Sequence, residues 1–137
     1  ALTDDNWIIS SSGIYVQDTP LQYLVDNNES DCFKGIIRKL PAKFLFNFNN
    51  QEYILKGFSY LPDKTEHAGH IEEYALYFSN DGQNWGNPVI QGRFGNIVNN
   101  PVEQFIPFDG HKTKFVKMEI LKATSDTISI PGLVFYQ

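Results

Sequence analysis

Residues 57–95 set out a strand, an irregular polar loop, a second strand, an Asp-Gly turn and a third strand without interruption. The first of these strands, Tyr53–Leu61, stops at Pro62, which lacks the N–H a ladder needs. The second, Ile71–Ser79, puts Tyr74, Leu76 and Phe78 on one face and Glu73, Ala75 and Tyr77 on the other. Asp81-Gly82 then predicts a tight hairpin into the third. Short period-two segments punctuated by Pro, Gly and Asn demand sheet, and sheets of this kind bury one face against another.

The rest of the chain repeats the pattern. Residues 43–48 alternate, with Phe44, Phe46 and Phe48 on one side, and Asn49-Asn50 follows as a turn because Asn tolerates left-handed backbone. Over residues 113–121, Val116, Met118 and Ile120 point inward while Lys117 and Glu119 point out. Residues 127–136 supply a closing strand, and residues 7–9 and Ile14–Val16 short opening ones. No segment carries a helical stripe, so the expectation is an all-β sandwich, helix-poor. Eleven Phe and seven Tyr give the bulk needed to fill the gap between two sheets. With 137 residues and no repeat, linker or low-complexity tract, residues 1–137 read as a single domain.

The charge balance narrows the function. A net charge of −5 with eleven dispersed Lys and Arg excludes a nucleic-acid surface, which needs a basic stripe to release counterions. No apolar run approaches the length of a membrane span, so no membrane insertion is expected. The opening ALTDDNW, without a signal peptide, reads as a mature or excised fragment. Cys32 is the single cysteine and reads as a small buried hydrophobe. His67 and His70 share a loop at a spacing of three, but a pair falls short of a zinc site. Glu72 and Glu73 fall on opposite faces of a strand, and the Asp4-Asp5 pair reads as solvated surface. No nucleophile elbow, P-loop, HExxH or dinucleotide fingerprint occurs, and the chain does not read as an enzyme. Trp7 and Trp85 read as packing residues.

Five motifs together carry a resemblance. Trp7 is followed by Ser10, Ser11 and Ser12, and Val25-Asp26-Asn27-Asn28 is similar to an apolar-D-G-D/N loop. Gly57-Phe58-Ser59-Tyr60-Leu61-Pro62 matches G-F-x-Y-x-P, and residues 69–82 match G-x-I-x-x-Y-x-x-Y-x-S-x-D-G. Residues 115–120 resemble a late Y-I/V-K/R-L strand. The chain thereby resembles discoidin-like (coagulation factor 5/8 type C) domains, and most nearly family 32 carbohydrate-binding modules. The resemblance implies a jelly-roll β-sandwich of about eight strands with ligand held by loops at one end. It also implies a non-catalytic module that tethers a secreted, periplasmic or cell-surface bacterial glycan-degrading protein to its substrate. Its partners would be a glycan and the neighbouring catalytic or accessory domains of a parent protein.

The departures from the family pattern bear on the ligand. Galactose-binding relatives use the His of a T-x-W-H motif and the Arg of Y-x-P-R; Lys34 and Asp63 stand at those positions here. An Arg fork donates to sugar hydroxyls whereas Asp only accepts, so the usual galactose-type site is not expected. The resemblance instead implies a carbohydrate site of Phe33, Lys34, Asp63, Lys64 and His67. The alternative is a structural or protein-interaction module of the same fold, in which Lys34 and Asp63 pair with each other or with solvent. The family's structural calcium implies ligands at Asp26, Asn28 and Asp31, with Asp31 replacing the family's Thr and Pro131-Gly132 standing where an A-E pair would supply Glu. The metal-free alternative has Asp26 bonding turn amides.

Overall fold

A computed structural model describes residue 2 and residues 6–137; the Asp4-Asp5 pair lies outside them. The described residues form eleven strands: β1 (Ile8–Ser12), β2 (Ile14–Val16), β3 (Phe33–Ile37), β4 (Ala42–Asn47), β5 (Tyr53–Leu61), β6 (Ile71–Ser79), β7 (Ile90–Arg93), β8 (Gln104–Thr113), β9 (Phe115–Ala123), β10 (Thr127–Ile130) and β11 (Gly132–Tyr136). The helical content among them is one 3-10 turn, Leu21–Leu24. None of their helices is long and apolar enough to cross a membrane.

A five-stranded sheet in the order β1-β4-β9-β6-β7 faces two three-stranded sheets, β10-β3-β2 and β11-β5-β8, and the paired strands are antiparallel. Aromatic contacts cross the gap. Phe46 of β4 meets Phe135 of β11 edge-on at 5.2 Å, and Tyr74 of β6 meets Phe58 of β5 at 5.4 Å. Phe44 of β4 meets Phe33 of β3 at 5.4 Å. Such edge-to-face packing adds to the hydrophobic term that holds the layers together. The alternation read from the sequence has its intended result: Phe44, Phe46, Phe48, Val116, Met118 and Ile120 are all fully buried. The fold is the expected jelly-roll β-sandwich, helix-poor.

Eleven strands replace the expected eight for identifiable reasons. Pro131 interrupts the anticipated last strand, and β10 and β11 on either side of it join different sheets. β8 escapes pattern reading because Pro107, Asp109 and Gly110 break it; β8 is an edge strand, where a missing N–H costs no ladder bond. The Asp-Gly signal does not make a tight hairpin. Residues 80–89 form a longer loop wound around one carboxylate: Asp81 Oδ1 accepts the amides of Gln83 at 2.9 Å and Asn84 at 2.8 Å, and Oδ2 accepts Asn84 Nδ2 at 2.6 Å. The amides of Asn84 and Gln83 hold the Asp81 carboxyl well below the usual carboxylate range. Trp85 leaves this loop and lies half-buried outside the sheet, with Lys117 Nζ 4.8 Å from its ring and 4.4 Å from that of Tyr77. It is a cation–π partner and not a core residue.

At the opposite end of β6, Gly69 passes so close to β10 that an added Cβ would sit 1.9 Å from the Thr127 carbonyl oxygen. Gly69→Ala is therefore expected to destabilise by about 1–3 kcal/mol through a forced backbone shift. Phe46→Ala, which empties a fully buried position, should cost about 3–5 kcal/mol. Urea denaturation with a constant m-value checks both.

Candidate functional site

Three loops converge at the end of the sandwich where β5 ends and β6 begins. Residues 25–32 lead into β3, residues 62–70 join β5 to β6, and residues 94–103 precede β8. Between them lies a cleft of about 520 Å³. Lys34, Asp63 and Lys64 line it with Glu29 and Glu103, and Leu61, Pro62 and Pro131 supply its apolar lining. A second cleft of about 240 Å³ shares Lys34, Asp63 and Thr65 and reaches His67. Four of the five residues expected from the sequence thus gather at one place.

The β-ladder explains how residues so distant in sequence meet. Lys34 of β3 stands directly opposite Ser129 of β10. Ser129 Oγ donates to Asp63 Oδ2 at 2.7 Å, which draws the polar loop onto the same sheet edge. The other carboxylate oxygen, Oδ1, accepts the Thr65 amide at 2.8 Å, and the Asp63 carbonyl is 2.7 Å from His70 Nε2. Burial pushes the Asp63 carboxyl up, but hydrogen bonds from Thr65 and Ser129 and the nearby His70 outweigh it and leave the group below its ordinary value. Asp63 is therefore an ionised, internally braced residue that lines both clefts. The Lys34 backbone is braced too: its amide donates to Thr19 Oγ1 at 2.9 Å, and its carbonyl accepts the Gln17 amide at 3.0 Å. The Lys34 side chain is exposed, and the ion pairs among the described residues do not include Lys34 with Asp63.

Phe33 requires correction as a carbohydrate contact. The same alternation that exposes Lys34 turns Phe33 inward, where it is fully buried against Phe44. Neither cleft is lined by Phe, Tyr or Trp. His67 faces solvent at the tip of the loop, 3.4 Å from Glu66, with a left-handed φ of 66°. Cys32 is half-exposed and lines the larger cleft, so it is not the buried hydrophobe the sequence implied. Glu29, Glu103 and Ser129 carried no motif; β-pairing and loop convergence alone bring them here.

The loop that the sequence marks for calcium is compact. Asp26 Oδ1 accepts the Asn28 amide at 3.0 Å, Asn28 Oδ1 accepts the Ser30 amide at 3.0 Å, and Asn28 Nδ2 donates to Asp31 Oδ2 at 3.4 Å. Burial, reinforced by the neighbouring Asp31 carboxyl, pushes the Asp26 carboxyl up against the pull of the Asn28 amide. Among the described residues no three of His, Cys, Asp and Glu gather into a metal-binding group. The loop offers two carboxylates, with amide and carbonyl oxygens around them. That hard-oxygen set suits calcium and suits neither zinc nor copper.

Chemically, the larger cleft presents ammonium donors from Lys34 and Lys64 and carboxylate acceptors from Glu29, Asp63 and Glu103. A polyhydroxylated ligand uses both, since each hydroxyl donates once and accepts twice.

Known proteins of this shape are numerous. The structure of CpGH89CBM32-5 from Clostridium perfringens, in complex with GalNAc-beta-1,3-galactose, superposes with a TM-score of 0.81 at 19% identity, over 96% of each chain. CBM32-3 from a family 31 glycoside hydrolase of the same organism gives 0.75 at 24% identity over 91% of each chain. The family 32 module of C. perfringens NanJ, in complex with galactose, gives 0.74 at 16% identity, covering 93% of this chain and 90% of that one. No curated protein matches the sequence significantly. The family model for the F5/8 type C domain matches residues 8–131, which take in ten of the eleven strands and both braced loops. The chain belongs to the F5/8 type C domain family.

Proposed function

We propose that this domain is a non-catalytic carbohydrate-binding module whose site is the cleft at Lys34, Asp63 and Lys64. The observation that carries the reading is that Lys34 stands opposite Ser129, whose hydroxyl holds Asp63, so that a donor and a braced acceptor line one glycan-sized cleft. The solved structures of the same fold include modules bound to GalNAc-beta-1,3-galactose and to galactose, which supports the class of ligand. The site is not of the usual galactose type, because Asp63 places a braced acceptor where the family's Y-x-P-R pattern has the guanidinium donor of Arg. Such a module serves a secreted, periplasmic or cell-surface glycan-degrading protein by holding neighbouring catalytic or accessory domains at their substrate. The gain is in local concentration, not in chemistry.

A shallow site without aromatic stacking binds weakly, on the order of 0.1–1 mM. Lys34→Ala should weaken the glycan selected on an array by about tenfold, the worth of one charged hydrogen bond. Isothermal titration reads this directly; unchanged affinity would move the site elsewhere, and no binding to any glycan would favour a structural or protein-interaction module. The carbon-13 titration of the Asp63 carboxyl should have its midpoint below that of an ordinary aspartate, and Ser129→Ala should move it upward. Because the folded value is lowered, the stability Asp63 contributes is present above the unfolded value and lost as pH falls through the folded one.

We propose further that calcium, held by Asp26, Asn28 and Asp31, braces the loop beside the site. When bound, the ion would neutralise two carboxylates that otherwise repel each other. Asp26→Asn keeps the acceptor for the Asn28 amide but removes a charge. The raised Asp26 value means the ionised form is the less favoured in the fold, so in chelator Asp26→Asn should melt at or above the wild-type temperature. Calcium at a hundred times its Kd should stabilise the wild type by about 2.7 kcal/mol and leave the variant unmoved. A wild-type melting temperature indifferent to chelator would rule out a structural ion.

A further inference from the structure

The sheet next to the cleft carries an aromatic platform. Phe105 of β8 is 53% exposed, the most open aromatic ring of the fold besides Tyr15. Its ring lies over Gly57 of β5, where an added Cβ would come within 2.7 Å of Cζ, and it meets the Tyr136 ring of β11 edge-on at 5.3 Å. The strand register fixes where this platform sits. Ser59 stands opposite both Phe105 and Val134, and Leu61 opposite Gly132. Leu61 of β5 and Glu103, which immediately precedes β8, line the larger cleft, and Ser59 and Phe105 follow two residues away. Residues two apart share a face and lie about 6.5–7 Å apart. The platform therefore continues the cleft along β5: the Phe105 backbone is one such step from it, and the ring, over Gly57, reaches about two.

Resting on the carbohydrate reading of the cleft, we infer that Phe105 and Tyr136 form a second subsite, and that the ligand is a disaccharide or longer glycan and not a single sugar. The cleft itself supplies hydrogen bonds without an aromatic ring, while the platform supplies an exposed ring. The two halves complement each other: one sugar is held by its hydroxyls at Lys34 and Asp63, and a later one along the chain lays its C–H face on Phe105. Gly57 matters to the arrangement because its missing side chain lets the ring lie down on the sheet and present a flat face.

The test uses an array of defined mono- to tetrasaccharides probed with wild type, Phe105→Ala, Phe105→Tyr and Lys34→Ala, with melting temperatures recorded for each. Wild type should prefer an oligosaccharide over its terminal monosaccharide by about threefold to tenfold, the range of one aromatic contact. Phe105→Ala should abolish that preference while leaving monosaccharide binding intact; Phe105→Tyr, which keeps the ring, should retain it. Lys34→Ala should weaken all ligands alike. Wild type binding mono- and oligosaccharides equally, or a length preference that survives in Phe105→Ala, overturns the second subsite and leaves the cleft standing. Binding to nothing on the array overturns both.

Discussion

One hydroxyl group determines where the clefts form. Tyr60 is the penultimate residue of β5, fully buried, and its hydroxyl oxygen accepts the amide of Ile71, the first residue of β6, at 3.0 Å. That bond pins both ends of the polar loop that carries Asp63 and Lys64. A buried amide without that oxygen would cost about 1–3 kcal/mol, which is why the two strand ends do not drift apart. The Tyr60 ring also lies 4.5 Å from Phe94, which stacks on Tyr74 at 4.6 Å and 22°. Phe94 belongs to the segment after β7, so the same stack anchors the loop that brings Glu103 to the cleft. Burial pushes the Tyr60 phenol up, so it stays neutral and its bonding pattern does not change with pH.

Above that anchor, the polar residues form a chain of mutual restraint. Asp63 is tied to Thr65, Ser129 and, through its carbonyl, His70. His70 is itself buried, and its amide is held by Thr124 Oγ1 at 2.9 Å. Each bond removes freedom from the loop before any ligand arrives, so less ordering entropy remains to be lost on association. The exposed ammonium of Lys34 is the contrasting element. Its backbone is fixed by the ladder, but its side chain keeps the freedom to follow a ligand.

Much of the fold was legible because period-two burial leaves a direct trace in sequence. Phe44, Phe46 and Phe48 could only be a core face, and β5 and β6 begin and end where the pattern does. The edge strand β8 left no such trace: it tolerates Pro107 and Gly110 because its outer side pairs with no other strand. At the site, Lys34 and Asp63 were legible as departures at known positions, whereas Phe33 was misplaced by one residue of parity. A neighbour in sequence points to the opposite side of a strand, and β3 had not been recognised as one. Phe105 was invisible for the same reason as β8. Glu29, Glu103 and Ser129 depend on which strands pair, and no local pattern encodes that.

The two tryptophans have a consequence for watching the protein at work. Trp7 is buried against Phe48 at 4.5 Å, and Trp85 lies past the far end of β6 under the Lys117 ammonium. Neither lines either cleft. Intrinsic fluorescence therefore separates two events that have nothing to do with ligand: loss of the core, sensed by Trp7, and release of the 80–89 loop, sensed by Trp85. A sugar entering at Lys34 would leave both tryptophans in their surroundings, and the domain would bind its ligand without a change in tryptophan emission.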